Sequence, residues 1–84
     1  METKRYECRA GYPPGEGKFW EITVDPATYT VMTKWGKLVD PGMTSSKTFP
    51  TLAQAQAHAR NRTRAKTPHY VLVHEDNSED EGDI

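Results

Sequence analysis

Hydrophobic and polar residues alternate in two stretches of the chain, which is the pattern of half-buried β-strands. Between residues 18 and 24, Trp20, Ile22 and Val24 share one face, and we predict that this face is buried. Between residues 29 and 35, Val31 and Trp35 alternate with more polar neighbours and predict a further strand. We expect Gly36 to permit a backbone turn that ends this strand and leaves Trp35 at the rim of the sheet.

Shorter extended segments lie on both sides of these strands. Residues 4–9 predict a first strand, residues 46–49 a short fourth strand, and residues 70–73 a terminal extended segment. The glycines and prolines of residues 11–17 exclude a helix or an interior strand and indicate a loop. A second, wide connection is expected over residues 36–46.

A helical period follows the fourth strand. It predicts a helix from Leu52 to about Ala65, with Thr51 as its N-cap. The buried stripe of this helix contains mostly alanine, so the large core side chains should come from elsewhere. We expect them to be Tyr6, Trp20, Ile22, Val31 and Phe49.

The order of these elements predicts an α+β fold. We expect a small antiparallel β-sheet of about four strands, with residues 70–73 as a candidate fifth strand. One α-helix is expected to pack on one face of the sheet.

Charge is distributed unevenly along the chain. All eleven basic residues precede Glu75, whereas half of the twelve acidic residues lie in residues 75–84. We therefore predict a basic domain over residues 1–74 and an acidic tail over residues 75–84. The tail is expected to be disordered, because so acidic a segment buries too little apolar area to offset its ordering entropy. This asymmetry indicates a polyanionic partner, or an acidic arm that competes for the same surface.

Several classes of function are not expected from this composition. No apolar run approaches the ~20 residues of a membrane span, and the lone Cys8 favours a reducing, cytoplasmic location without a membrane partner. The three histidines and Cys8 lack the spacing of metal ligands. No catalytic residue, metal, cofactor or small-molecule substrate is predicted, so the chain is expected to be a binding module rather than an enzyme.

Trp35 and Lys37 are the candidate binding residues with the clearest chemistry. An indole next to an ammonium group suits a sugar ring or base together with a phosphate. The alternative is structural: Trp35 covers the end of the sheet, and Lys37 is a solvated loop residue. The helix adds further cations, with Arg60 and Arg64 on one of its faces. Cations at this end of a helix are also favoured by the helix dipole alone.

Five segments occur in an order that resembles the WGR domain, over roughly residues 4 to 73. They are Arg5-Tyr6-Glu7, Lys18-Phe19-Trp20-Glu21-Ile22, Tyr29 to Lys37, Pro41-Gly42 and Lys47-Thr48-Phe49. This family is named for a Trp-Gly-Arg triplet and occurs within DNA-dependent poly(ADP-ribose) polymerases and as small bacterial proteins. The resemblance implies the same α+β arrangement.

The resemblance also implies a role for Trp35, because in the polymerases the tryptophan of the triplet packs against the ribose at a 5′ terminus of broken DNA. Lys37 departs from the family arginine. It retains a charge for phosphate but lacks the planar fork of a guanidinium group.

The sequence thus predicts a nucleic-acid-binding module. DNA is the favoured ligand, and the ends of DNA are one candidate binding site on it. The predicted nucleic-acid-binding residues are Trp35, Lys37, Lys34, Lys18, Arg60 and Arg64. The alternative is a protein–protein interaction module without nucleic-acid binding, which uses the Trp35 rim and the Pro13-Pro14 loop. In that case the acidic tail acts as a polyanion mimic. The oligomeric state is left open.

Overall fold

The computed structural model describes residues 1–77, which form five strands and one helix. The elements are β1 (Glu2–Cys8), β2 (Lys18–Asp25), β3 (Thr30–Lys37), β4 (Met43–Thr48), α1 (Leu52–Lys66) and β5 (Val71–Asn77). The strands make one antiparallel sheet in the order β4-β3-β2-β1-β5. The α+β prediction is confirmed, and the candidate fifth strand is part of the sheet.

The main core lies between α1 and one face of the sheet. Alternation along β2 directs Trp20, Ile22 and Val24 to this face, and all three are buried. Ala55 and Ala59 of α1 are buried against them, since small side chains let the helix approach closely. The core comprises Tyr6, Trp20, Ile22, Val24, Val31, Ala55 and Ala59, with Phe49, Leu52 and Tyr70 partly buried at its margin.

The start of α1 is fixed by the predicted cap. Thr51 has an extended backbone, and its Oγ1 accepts a hydrogen bond from the Gln54 backbone N–H at 3.2 Å. This bond satisfies one of the amide groups that the first turn of a helix leaves without a partner. The helix ends at Lys66, one residue later than expected.

A second, smaller buried site, which the sequence pattern did not predict, lies on the opposite face of the sheet. Phe19 is 2% exposed although it alternates with Trp20. The guanidinium of Arg5 lies 4.3 Å from the centroid of the Phe19 ring. Gly42 also covers this ring, because a Cβ at that position would lie 2.6 Å from Phe19 Cζ. The segment after β3 therefore folds back over the sheet and buries an aromatic side chain there.

The predicted end of β3 at Gly36 is wrong. The strand continues through Gly36 to Lys37. A Cβ at Gly36 would lie 2.9 Å from the Cα of Gly42, so glycine is required here for the close approach of two backbones rather than for a turn. The connection to β4 is correspondingly shorter than the predicted wide loop, because β4 begins at Met43.

The predicted start of the tail at Glu75 also needs correction. β5 pairs with β1 as far as Asn77, which lies opposite Glu2. Lys4 Nζ and Glu75 Oε2 are 3.6 Å apart across this pair of strands. Residues 75–77 therefore belong to the sheet, where β1 supplies both backbone partners and a cation. The predicted disorder of residues 78–84 lies outside the described residues.

Candidate nucleic-acid interface

Trp35 lies in a row of apolar side chains that crosses the sheet. The register places Met43, Trp35, Trp20 and Tyr6 side by side on β4, β3, β2 and β1. The rings of Tyr6 and Trp20 are buried, with centroids 5.7 Å apart. Exposure rises from 2% at Trp20 to 36% at Trp35 and 66% at Met43. The row thus runs from the core to solvent, and the indole of Trp35 remains accessible.

The covering helix explains the difference between the two tryptophans. The core cluster beneath α1 contains Trp20 and Val31, but Trp35 is not part of it. Trp35 is nevertheless held in place, since it is paired in the sheet with Trp20 on one side and Met43 on the other. A ring that is positioned by a sheet and partly open to solvent can stack on a ligand with little loss of entropy.

Two lysines lie in the next row of the same face. Lys18 and Lys37 are directly opposite each other on β2 and β3, two residues along from Trp20 and Trp35. Like charges in this arrangement are destabilising unless an anion lies between them. Both side chains are exposed, and neither forms an ion pair within residues 1–77. We call Trp35, Met43, Lys18 and Lys37 the tryptophan rim.

One carboxylate shares the depression beside these lysines. Glu16 lines it together with Tyr12, Lys18 and Lys37. Glu16 makes no ion pair with either lysine. The positive charge of the pair is therefore not neutralised by a contact within the described part of the chain.

Lys34 is not part of the tryptophan rim, because adjacent residues of a strand point to opposite faces. It lies opposite Glu21 on β2 and lines a shallow depression with Met32 and Thr44 on the face away from α1. The structure therefore separates Lys34 from Trp35, its neighbour in sequence.

Arg60 and Arg64 are also distant from the tryptophan rim. They line a cleft between α1 and the paired strands β1 and β2, above Ile22 and Val24. Ile22 and Val24 lie four and six positions along β2 from Lys18. At the rise of a strand, the floor of this cleft is therefore about 13–20 Å from Lys18. We call this second basic region the helix cleft.

Two cations that the site prediction omitted lie near His58 of α1. The ring of His58 packs on Phe49 with centroids 4.9 Å apart, and it is half-buried rather than on the surface as helical position alone suggests. Burial lowers the pKa of His58, and the charges of Lys47 and Arg62 lower it further. By alternation along β4, Lys47 lies on the same face as Met43 and thus as Trp35. The sequence could have indicated the proximity of Arg62, because residues four apart on a helix, such as His58 and Arg62, are neighbours on its surface.

The three basic residues before residue 10 all form ion pairs, and that of Lys4 is with Glu75. The carboxylate of Glu7 forms ion pairs with Arg5 Nε at 3.2 Å and with a guanidinium nitrogen of Arg9 at 2.9 Å. Arg5 also forms an ion pair with the carboxylate of Glu21 at 3.4 Å. Among residues 1–77, the basic side chains without an ion pair are Lys18, Lys34, Lys37, Lys47, Arg60, Arg62, Arg64 and Lys66. Attraction for a polyanion therefore originates in the later strands and the helix.

Metal-binding groups and membrane-spanning helices were sought among residues 1–77. No group of three or more His, Cys, Asp or Glu residues in this part of the chain is arranged to hold a metal ion. No helix among residues 1–77 has the length and apolar character needed to cross a membrane.

Comparison with known proteins agrees with the fold. A family model of the WGR domain matches residues 6–72. A crystal structure of a protein from Bacteroides fragilis is similar, with a TM-score of 0.71 and 26% sequence identity over 86% of this chain. The chain spans 19% of the length of that protein. No curated protein gives a significant match. Because the family match covers most of the sequence, the chain belongs to the WGR domain family, whose members are binding modules rather than catalytic domains.

Proposed function

We propose that this WGR domain binds nucleic acid, and specifically DNA at its ends, through the tryptophan rim. The observation that carries the proposal is the accessible indole of Trp35 beside the opposed, unpaired Lys18 and Lys37. An indole face stacks on a base or ribose, and paired ammonium groups neutralise neighbouring phosphates. An anion bound between the two lysines would also relieve their mutual repulsion.

Family membership supports this proposal at a coarse level. WGR domains are generally nucleic-acid-binding modules in proteins related to poly(ADP-ribose) polymerases. In this chain Lys37 stands where the family has arginine, so we expect a phosphate contact through a point charge rather than a bidentate one.

The remaining predicted residues take different parts in this proposal. Lys34 lies on the other face of the sheet, and Arg60 and Arg64 lie in the helix cleft. They add to the long-range attraction of a polyanion without contacting the nucleotide that Trp35 stacks on.

Fluorescence anisotropy with a short, blunt, 5′-phosphorylated duplex tests the proposal. We expect affinity to fall steeply with salt, because binding releases counterions. Lys37→Gln should reduce the slope of log K against log salt concentration by about 1. Trp35→Ala should weaken binding by about 1–3 kcal/mol through loss of stacking.

Lys34→Gln is the matched control, since it removes the same charge from the same strand but from the opposite face. We expect it to leave the salt slope nearly unchanged. Equal losses for Lys34→Gln and Lys37→Gln would show diffuse attraction and contradict a site at the rim, as would unchanged binding by Trp35→Ala. A closed circular duplex that competes as well as the linear one would refute a preference for ends.

A protein partner is the second candidate, and the outer edge of β5 favours it. Val71, Leu72 and Val73 are all exposed on this edge strand. An edge strand presents backbone groups to which an extended segment of another chain can pair. Mass measured by light scattering over a range of concentrations would reveal self-association through this edge, which Val73→Lys should abolish.

A further inference from the structure

The helix cleft has a basic wall and an apolar floor. Ile22, Val24 and Ala59 form the floor, and Arg60 and Arg64 line the helix side. The cleft has a volume of about 470 Å³ and is open to solvent. It is therefore large enough to receive a few extended residues.

The arginines of this cleft have no acidic partner among residues 1–77. They are one helical turn apart and so project from the same side of α1. On the opposite wall, Lys4 is already held by Glu75 of β5 at 3.6 Å. The strand that precedes the acidic segment thus supplies a carboxylate to one cation of the cleft and leaves the other two cations unpaired.

Chain connectivity brings further carboxylates to the same place. Asn77 lies opposite Glu2, and Glu2 lines the cleft. The described chain therefore ends at the same end of the sheet as Glu2. The seven residues that follow Asn77 in the sequence include Glu79, Asp80, Glu81 and Asp83 and no basic residue. Seven extended residues reach about 23 Å, whereas one helical turn separates Arg60 from Arg64 by about 6 Å. The segment is long enough to present carboxylates to both arginines.

We propose that residues 78–84 dock in the helix cleft of the same chain, with their carboxylates on Arg60 and Arg64. The tail then occupies the basic region nearest to its origin and leaves the tryptophan rim open. This inference does not rest on DNA binding, since it leaves the tryptophan rim untouched and is tested without nucleic acid. Docking of the segment would reduce the long-range attraction that Arg60 and Arg64 exert on other polyanions. It also gives the acidic segment a defined role, which is to neutralise the helix arginines.

Paramagnetic relaxation enhancement tests the proposal on the full chain. A nitroxide is attached at Gly82→Cys in a Cys8→Ser background, and amide signals are compared with those of the reduced label. We expect the amides of Arg60 and Arg64 to lose several-fold more intensity than the amide of Lys37. The effect should disappear near 1 M salt, where the Debye length is about 3 Å.

Matched variants distinguish specific docking from general attraction. Arg60→Gln combined with Arg64→Gln should abolish the broadening, whereas Arg62→Gln, on another side of α1, should retain it. Broadening centred on Lys18 and Lys37 would place the segment on the tryptophan rim and overturn the proposal. Weak, uniform broadening, or broadening seen only between a labelled and an unlabelled copy, would overturn it as well.

Discussion

At the scale of single residues, Trp20 and Trp35 have the same side chain and opposite environments. They are paired across β2 and β3 on the same face of the sheet, yet one is buried and the other is partly exposed. Alternation along the strands predicts their common face. Only the position of α1 decides which ring is covered.

Substitution of the two tryptophans should separate these environments. Trp20→Ala should lower the free energy of unfolding by about 3–5 kcal/mol, as expected for a fully buried aromatic. Trp35→Ala should cost less, about 1–2 kcal/mol, because this ring is only partly covered and truncation loses less buried apolar area. Urea denaturation measures both values.

Fluorescence gives a check that does not depend on measured free energies of unfolding. We expect acrylamide to quench the fluorescence of the Trp20→Phe variant, which retains only Trp35, far more strongly than that of the Trp35→Phe variant, which retains only Trp20. Equal quenching would contradict the assignment of Trp35 as the accessible ring.

Gly42 is a second residue whose role depends on its surroundings. Its φ is +85°, and a Cβ there would lie 2.6 Å from Phe19 Cζ and 2.7 Å from the Trp35 carbonyl oxygen. Gly42→Ala should therefore destabilise the fold by about 2–4 kcal/mol through backbone strain and overpacking together. Thermal or urea denaturation tests this.

Gly11 is the matched control for Gly42, since its φ is +82° and nothing lies within 4 Å of an added Cβ. Gly11→Ala should show the conformational cost alone, about 1 kcal/mol. If the two substitutions cost the same, the contact between Gly42 and Phe19 does not contribute.

At the scale of elements, α1 depends on its cap and on its small buried side chains. The capping role of the Thr51 hydroxyl was predictable, because a threonine directly before a helical pattern is a local signal for the start of a helix. Thr51→Ala should destabilise the protein by about 1 kcal/mol. Thr51→Ser retains the hydroxyl and should be nearly neutral in the same denaturation experiment, and a loss as large as that of alanine would show that the cap bond is unimportant.

The strands show where local signals fail. β3 passes through Gly36, and β5 continues through Glu75 to Asn77. Composition indicated a break at the first position and a tail at the second. In both cases packing against another segment overrides the local preference, since Gly42 packs on Gly36 and β1 pairs with β5.

At the scale of the whole molecule, two titratable groups make stability depend on pH. Burial raises the pKa of Glu7, but hydrogen bonds and charges from Arg9 and Arg5 outweigh it and hold the pKa below its ordinary value. The pKa of His58 is lowered by burial and then by Lys47 and Arg62. Both groups have a lower pKa in the folded chain than in the unfolded chain.

Acidification should therefore reduce stability in two steps. The contribution of His58 is complete above its unfolded pKa of 6.5 and is lost as the pH falls through the lower folded value. The contribution of Glu7 is complete above 4.5 and is lost below it in the same manner. We expect melting temperatures measured across this range to fall twice. His58→Gln should remove the first step and Glu7→Gln the second, and a melting temperature that rises on acidification would contradict both assignments.

The sequence by itself determined the order of elements, the α+β class, the helix cap and the core face of β2, because these follow from periodicity and from local hydrogen bonding. It also identified Trp35, Lys18 and Lys37 as candidates, since their residue types carry the relevant chemistry. Tertiary structure decided which of the predicted cations lie near Trp35. Strand register placed Lys18 opposite Lys37, strand alternation turned Lys34 away, and helix packing moved Arg60 and Arg64 to a separate cleft. These relations join residues far apart in the chain, and proximity of that kind is set by pairing and packing rather than by neighbouring residues.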